Sequence, residues 1–157
     1  MDKEPSLKLN EEQLKVNSAG QRGGWTSGQL NVWATGHLDS KTSFRENLIG
    51  KADELAHLVY PLTYKFPQEE KYALGDQIRR AVVSVPTNLI EGIARGGEKE
   101  KRQFANIAYG SLKESKYLCG FAYKEKLINE NDFQKISPKF EELSKLLFSF
   151  LKILKAV

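Results

Sequence analysis

QIRRAVVSVPTNLIEGIAR, residues 77–95, is the stretch of sequence that decides the fold. Its apolar residues recur at steps of three and four, which at about 100° per residue places them along one side of an α-helix. A helix with one apolar and one polar side packs against other helices through the apolar side. Extended back to residue 74, the apolar side consists of Leu74, Ile78, Ala81 or Val82, Val85, Leu89 and Ile93. The polar side consists of Arg80, Ser84, Thr87, Asn88, Glu91 and Arg95.

Pro86 lies in the middle of this helix. A proline cannot donate a backbone hydrogen bond to the carbonyl of Val82, and its ring crowds that carbonyl. Two outcomes are open: the helix kinks at Pro86, or a new helix starts there behind a cap from Ser84. Because the apolar side continues in phase across the proline, we favour the kink.

Two helices are predicted to begin on the N-terminal side of Pro86. Ser43 and Glu46 form a capping box, so the first helix begins near Phe44. Pro61 should kink or shorten this helix near Tyr60. The second helix starts between residues 69 and 72 and continues through the stretch quoted above. The apolar side of the first helix consists of Phe44, Leu48, Ala52, Leu55, Val59 and Leu62.

Two more helices follow. Gly96 and Gly97 end the second helix as left-handed caps, and acidic residues at 98 and 100 open the third. Asn131 or Asp132 caps the fourth, with a second start signal at Ser137 and Pro138. The inward side of the third helix consists of Phe104, Ala108, Ser111, Ser115, Leu118 and Ala122, and that of the fourth of Phe140, Leu143, Leu147, Phe150 and Leu154. We therefore predict an all-α fold, an antiparallel up-down four-helix bundle.

Residues 1–43 differ from the rest of the chain. They hold five of the twelve glycines and both tryptophans, Trp25 and Trp33, in a polar tract without periodicity. We divide the chain into a leader, 1–43, and a bundle, 44–157. The leader is either a flexible segment or a docking arm whose tryptophans insert into a neighbouring subunit.

The net charge indicates what kind of partner the protein binds, and the cysteine content and hydropathy indicate its compartment. The chain has 24 basic and 20 acidic residues, a net charge of +4. Residues 1–43 carry five of each sign, so the whole excess lies on the bundle and favours an anionic partner. Cys119 is the only cysteine, which excludes an intrachain disulfide. The first residues do not resemble a signal peptide and no apolar tract is long enough to span a membrane, so we expect a cytoplasmic protein.

The core RRAVVSVPTNLIEG, within a region of about residues 44–155, resembles a bacterial family whose first members are encoded in intervening sequences of 23S rRNA genes. Two arginines followed by an S-x-P-x-N step and an E-G ending carry the resemblance. It implies a four-helix bundle assembled as a homopentamer and associated with ribosomal RNA. A more distant relation that it implies is the accessory protein of diversity-generating retroelements, a basic pentameric bundle that works with RNA and a reverse transcriptase.

The chain offers little chemistry for catalysis. Its two histidines, His37 and His57, have no partners at metal-ligand spacing, and phosphate-binding glycine loops and nucleophile motifs are missing. Glu91 and Glu114 could act as a general acid and base, but ion pairs with neighbouring arginines explain them more simply. We therefore expect no enzyme activity, no cofactor and no metal.

Basic residues of the second and third helices indicate an RNA-binding ridge. If these helices pair about Gly96 and Gly97, Arg95 lies level with Lys99 and Arg102, and Arg80 lies level with Lys113 and Lys116. Lysine and arginine neutralise phosphates, and tyrosine rings stack on unpaired bases. The alternative is a solvated face diluted by glutamates. The candidate RNA-binding residues are Arg79, Arg80, Arg95, Lys99, Arg102, Tyr109, Lys113 and Lys116.

Apolar residues outside the predicted core indicate self-association. The fourth helix is apolar over a wider arc than one core-facing side needs, and the second helix carries two extra apolar residues. The candidate oligomer-interface residues are Val83, Ile90, Leu146, Phe148, Leu151 and Ile153. The sequence thus predicts a non-catalytic, ribosome-associated homo-oligomer that binds structured RNA. The alternative is a protein-binding adaptor such as an accessory subunit of a reverse transcriptase.

Overall fold

The computed structural model describes residues 40–154, with side chains from residue 43, and this part of the chain is all-α without a β-strand. Its elements are α1 (Ser40–Val59), a 3-10 turn (Tyr60–Lys65), α2 (Gln68–Tyr72), α3 (Leu74–Ala94), α4 (Glu98–Lys124) and α5 (Glu130–Ile153). The all-α prediction is confirmed. The predictions for Trp25, Trp33 and His37 lie outside the described residues.

The four long helices, α1, α3, α4 and α5, share one hydrophobic core, so the protein is a four-helix bundle. Its largest fully buried side chains come from all four: Leu48, Leu55, Val59, Ile78, Val82, Val85, Leu89, Leu112, Ile136, Phe140, Leu143 and Leu147. Leu112, which the sequence reasoning left out of the inward side of α4, is among them. Phe104 and Ser111, which it included, are only half-buried.

Three pairs of long helices run antiparallel, α3 with α4, α1 with α5 and α4 with α5, because later residues of one helix contact earlier residues of the other. These contacts are Gln77–Glu114 and Ser84–Ser111 between α3 and α4, Lys51–Glu142 and Glu54–Lys139 between α1 and α5, and Tyr109–Phe148 and Tyr123–Phe133 between α4 and α5.

Pro86 is buried inside α3, and the helix continues without interruption on both sides of it. The alternative of a new helix starting at Pro86 is therefore excluded. Two side chains just after the proline hydrogen-bond back to the preceding turn. The Asn88 amide donates to the Ser84 carbonyl at 2.7 Å and to its hydroxyl at 2.8 Å, and the Thr87 hydroxyl donates to the Val83 carbonyl at 2.8 Å. These bonds hold the turn that the proline weakens and account for the S-V-P-T-N step.

One predicted helix start and the predicted continuity of the second helix are wrong. Helix α1 begins at Ser40, so Ser43 lies inside it and does not cap it. The predicted second helix is divided into α2 and α3 at Ala73, whose backbone (φ −100°, ψ −93°) is not helical. The predicted end of the first helix is confirmed, because α1 stops at Val59 and Pro61 lies in the 3-10 turn.

The loops around α4 correct two predicted caps. Gly96 has φ +78° and is left-handed as predicted, but Gly97 has φ −74° and is the N-cap residue of α4. Helix α5 is capped by Asn129, whose side-chain oxygen accepts from the backbone N–H of Asp132 at 2.8 Å. The predicted caps, Asn131 and Asp132, lie inside the helix. Among the described helices, none is long and apolar enough to cross a membrane.

Candidate nucleic-acid interface

Arg79 does not belong to an RNA-binding surface. It is buried, and its guanidinium donates to the Thr63 hydroxyl at 2.8 Å, to the Lys71 carbonyl at 3.0 Å and to Asp76 at 3.2 Å. These bonds tie the 3-10 turn and α2 to α3. The prediction for Arg79 is therefore wrong, because its donors are used inside the fold and phosphate cannot reach them.

The other two arginines of α3 are exposed but paired. Arg80 pairs with Asp76 one turn earlier, and Arg95 pairs with Glu91 at 2.5 Å. The Arg95 guanidinium also lies 4.9 Å from the centre of the Phe104 ring. The ion pair predicted for Glu91 is confirmed. Each arginine therefore presents a charge that a neighbouring carboxylate partly offsets.

The predicted ridge across α3 and α4 is not one surface. The two helices are in the expected register, since Ser84 and Ser111 touch at 2.9 Å. However, the charged residue of α4 that turns toward α3 near this level is Glu114, which accepts a hydrogen bond from Gln77 at 3.4 Å. Lys116 turns the other way and pairs with Glu141 on α5. Arg80 and Lys116 are thus at the same height along the bundle, but Lys116 lies on the side of α4 that faces away from Arg80.

Basic residues instead follow the outer side of α4 along its length. They are Lys99, Arg102, Lys113, Lys116 and Lys124, all exposed except Lys116, which is half-buried. The acidic residues Glu100, Glu114 and Glu125 lie about 100° or more from Lys113 around the helix. Glu98, at the first residue of α4, pairs with Lys101 at 2.8 Å. Glu100, Glu114 and Glu125 are therefore separated from Lys113 around the helix, whereas Glu98 lies beside a lysine at the start of α4.

A groove of about 350 Å³, here called the α4 groove, lies on this outer side. It is lined by Lys113, Lys116, Tyr117, Gly120, Phe121 and Lys124. Two of these residues were predicted to bind RNA. Tyr117 and Phe121 were missed, although their spacing of four and eight residues from Lys113 places them near it around the helix.

Tyr109, which was predicted to bind RNA, and Tyr123 on the same helix have aromatic partners within the chain. The half-buried Tyr109 packs on Phe148 with ring centres 6.4 Å apart, and Tyr123 stacks on Phe133 at 4.2 Å. In contrast, the side chain of Tyr117 is 70 % exposed and that of Phe121 is 44 % exposed. The accessible aromatic surface of α4 is therefore in the groove.

Electrostatic neighbours of the groove are mainly lysines. The hydrogen bond from Lys116 lowers the pKa of Glu141, and the charges of Lys113 and Lys145 lower it further. Lys113 also lies 4.9 Å from the centre of the Tyr109 ring. Within the described residues, neither Lys113 nor Lys124 pairs with a carboxylate, so both are available to an anionic ligand.

Two further side chains in the described part of the chain, His57 and Cys119, are of types that bind metals or act as nucleophiles. His57 lies 3.6 Å from Asp53, and the described residues contain no group of three metal-binding side chains. Cys119 is buried, and this burial raises its pKa to about 12. Its thiol is therefore protonated at neutral pH and unsuited to act as a nucleophile.

Most of the predicted oligomer-interface residues are accessible. Val83, Ile90, Phe148 and Ile153 are 41 to 51 % exposed, and Leu146 is half-buried. Leu151 is only 7 % exposed and belongs to the hydrophobic core. The prediction for Leu151 is therefore wrong, because its apolar surface is already covered within the chain.

The fold and this surface define the class of protein: a helical bundle with a basic surface on α4 and an unbroken α3 that contains a proline. The chain belongs to the 23S rRNA-intervening sequence protein family, whose sequence model matches residues 47–149. It is also similar to the crystal structure of a protein of unknown function from the S23 ribosomal protein family of Bacteroides thetaiotaomicron. The TM-score is 0.64 at 23 % identity, covering 69 % of this chain and 98 % of that one, which shows a shared fold. No curated protein sequence matches the chain significantly.

Proposed function

We propose that this protein is a non-catalytic, cytoplasmic RNA-binding bundle that holds structured RNA, ribosomal or ribonucleoprotein, on the outer side of α4. The observation that carries the proposal is the separation of charge on α4. Exposed basic residues run along one side, while Glu114 in the middle of the helix turns toward α3 and accepts a hydrogen bond from Gln77. Such a surface attracts phosphates without reading base sequence. A family named for 23S rRNA intervening sequences supports an RNA partner.

Self-association is the second part of the proposal. We propose that the four long helices form a closed up-down bundle with a kink at Pro86, and that copies assemble into a homopentameric ring. The exposed side chains of Val83, Ile90, Phe148 and Ile153 support an interface between copies, because monomeric proteins rarely leave many large apolar groups uncovered. The subunit number comes from the family resemblance alone.

An adaptor for a partner protein, such as a reverse transcriptase, is the second candidate. It is favoured by a cluster of exposed tyrosines, Tyr60, Tyr64 and Tyr72, where α1 connects to α3. The Arg79 guanidinium lies 5.9 Å from the Tyr60 ring and 5.3 Å from the Tyr64 ring, and so holds two of them in place. Rigid, exposed tyrosines are enriched at protein interfaces.

Binding of a 23S rRNA fragment across a series of salt concentrations tests the RNA function. Lys113→Glu and Lys124→Glu should each weaken binding and flatten the salt dependence, because each removed phosphate contact releases about 0.7 to 0.9 fewer counterions. Both lysines lack a carboxylate partner, so no described ion pair is lost.

Lys135→Glu is the matched control. It makes the same charge change at an exposed position on α5, about 120° around that helix from Glu141, and removes only a long ion pair of 3.9 Å with Asp132. RNA affinity and salt slope should be nearly unchanged in this variant. Equal losses in all three variants would mean that only net charge matters, and no binding by the unmodified protein at low salt would favour the adaptor.

A further inference from the structure

We infer that the α4 groove takes unpaired nucleotides, so that the RNA ligand of this protein is a single strand or the loop of a structured RNA. The inference rests on the proposed RNA-binding function and names the form of RNA. The feature that carries it is a pair of exposed rings, Tyr117 and Phe121, set among three lysines on one side of a single helix.

The two rings are placed to receive flat groups. They lie four residues apart, one turn of helix, which is about 6 Å along the axis. Gly120 stands between them, and a Cβ built on it would meet nothing within 4 Å. The floor of the groove is therefore open. Within the described residues neither ring stacks on another aromatic ring, in contrast to Tyr109 and Tyr123.

The lysines are placed to hold a backbone while bases lie on the rings. Lys113 precedes Tyr117 by one turn, Lys116 adjoins it, and Lys124 follows by about two turns. Alternation of cations and rings along a groove is the pattern with which proteins bind single-stranded nucleic acid without sequence preference. In a continuous A-form duplex the base faces are stacked on each other, so the two rings would have nothing to stack on.

The charge of the α4 groove indicates which kind of ligand binds to its exposed rings. Three lysines line it and no acidic residue does. The same face of a second copy would bring lysines against lysines. An anionic ligand with flat, unsaturated groups satisfies both the cations and the rings, and unpaired RNA has both.

A double variant, Tyr117→Ala with Phe121→Ala, tests the inference in the full chain. The probes are a single-stranded oligouridine of about 12 nucleotides and an RNA duplex of the same length, measured across a salt series. Affinity for the single strand should fall about tenfold or more with the salt slope retained, because stacking is lost and phosphate contacts remain. Affinity for the duplex should not change.

Two further variants keep the test independent of folding. Tyr117→Phe with Phe121→Tyr keeps both rings and should retain binding. Gly120→Leu fills the floor of the groove without removing a ring or a charge, and should weaken single-strand binding. Unchanged helical circular dichroism in each variant assigns the losses to the groove.

The outcomes separate this inference from the proposed function. Failure of the unmodified protein to bind the single strand overturns the inference, and failure to bind the 23S rRNA fragment as well overturns the proposed function. Salt-dependent binding that depends on Lys113 but survives in the double alanine variant overturns the inference alone. Equal loss of single strand and duplex in that variant also overturns it, because rings that support duplex binding are not stacking on unpaired bases.

Discussion

Gly92→Ala should destabilise the bundle, although alanine is the better helix former. A Cβ built on Gly92 lies 2.7 Å from the Cβ of Phe104 and 3.5 Å from the Lys101 carbonyl oxygen. Carbon atoms pack best at about 3.5 to 4.0 Å, so α3 and α4 must separate by nearly one ångström. The Phe104 Cβ is fixed to its backbone and cannot turn away as a side-chain tip would.

The size of the effect follows from two opposing contributions. Overpacking of this kind costs about 1–3 kcal/mol, and replacing glycine by alanine inside a helix gains about 0.5–1 kcal/mol. The sum is a destabilisation of about 1 kcal/mol. Gly110→Ala on α4 is the matched control, because a Cβ there meets nothing within 4 Å. That variant should be stabilised by about 0.5–1 kcal/mol.

Urea unfolding followed by circular dichroism measures both variants. The protein concentration must be the same throughout, because self-association makes stability depend on it. The slope of unfolding free energy against urea should not change, so that a shift in midpoint reports stability. If Gly92→Ala is stabilised as much as Gly110→Ala, the close approach of α3 and α4 at this glycine is refuted.

Three other predictions concern charge and assembly. Glu141→Gln should tighten RNA binding about twofold or more and steepen its salt dependence, because Lys116 loses a carboxylate that competes with phosphate. Glu142→Gln is the control, because Glu142 pairs with Lys51 on α1, and it should leave RNA affinity and salt dependence unchanged. Light scattering should give a mass several times the 17.8 kDa of one chain, and Ile90→Asp with Ile153→Asp should reduce it to that of a monomer; a monomeric unmodified protein would contradict the proposed ring. The hydrogen bond from Lys139 on α5 lowers the pKa of Glu54 below its usual value, so this pair stabilises the fold at neutral pH, and the stabilisation is lost as the pH falls through the lowered pKa. Glu54→Gln should therefore unfold more easily in urea than the unmodified protein at neutral pH but not in acid; an equal difference at both pH values would count against the pair.

Periodicity in the sequence was enough to predict the four long helices and most of the core. Ile78, Leu89 and Leu147 recur with residues of the same kind over several turns, so small errors at one position do not change the side that is buried. Helix ends were harder to predict because they depend on one or two residues. Asn129 and Asn131 are both good capping residues, and only the contact of Asn129 with the Asp132 N–H decides between them.

The site was predicted less completely than the fold. The sequence places Arg79 and Arg80 next to each other, but only the packing of the 3-10 turn buries the first and leaves the second in solvent. Register along the bundle was correct for Arg80 and Lys116. The side of α4 on which Lys116 lies was predicted wrongly, because it depends on which sides of that helix α3 and α5 occupy. The same uncertainty hid the exposure of Tyr117.

The outer side of α4 contributes little to the core, and this separates binding from folding. Tyr117, Lys113 and Lys124 can be exchanged without opening a cavity, whereas Leu112 and Ala108 on the inner side cannot. The residues of α4 that pack in the core thus alternate along the sequence with residues that are free to bind a ligand. Descendants of a common bundle could acquire new ligands by drift along the outer side alone, and a designer could transplant this strip of side chains onto another helix of equal length.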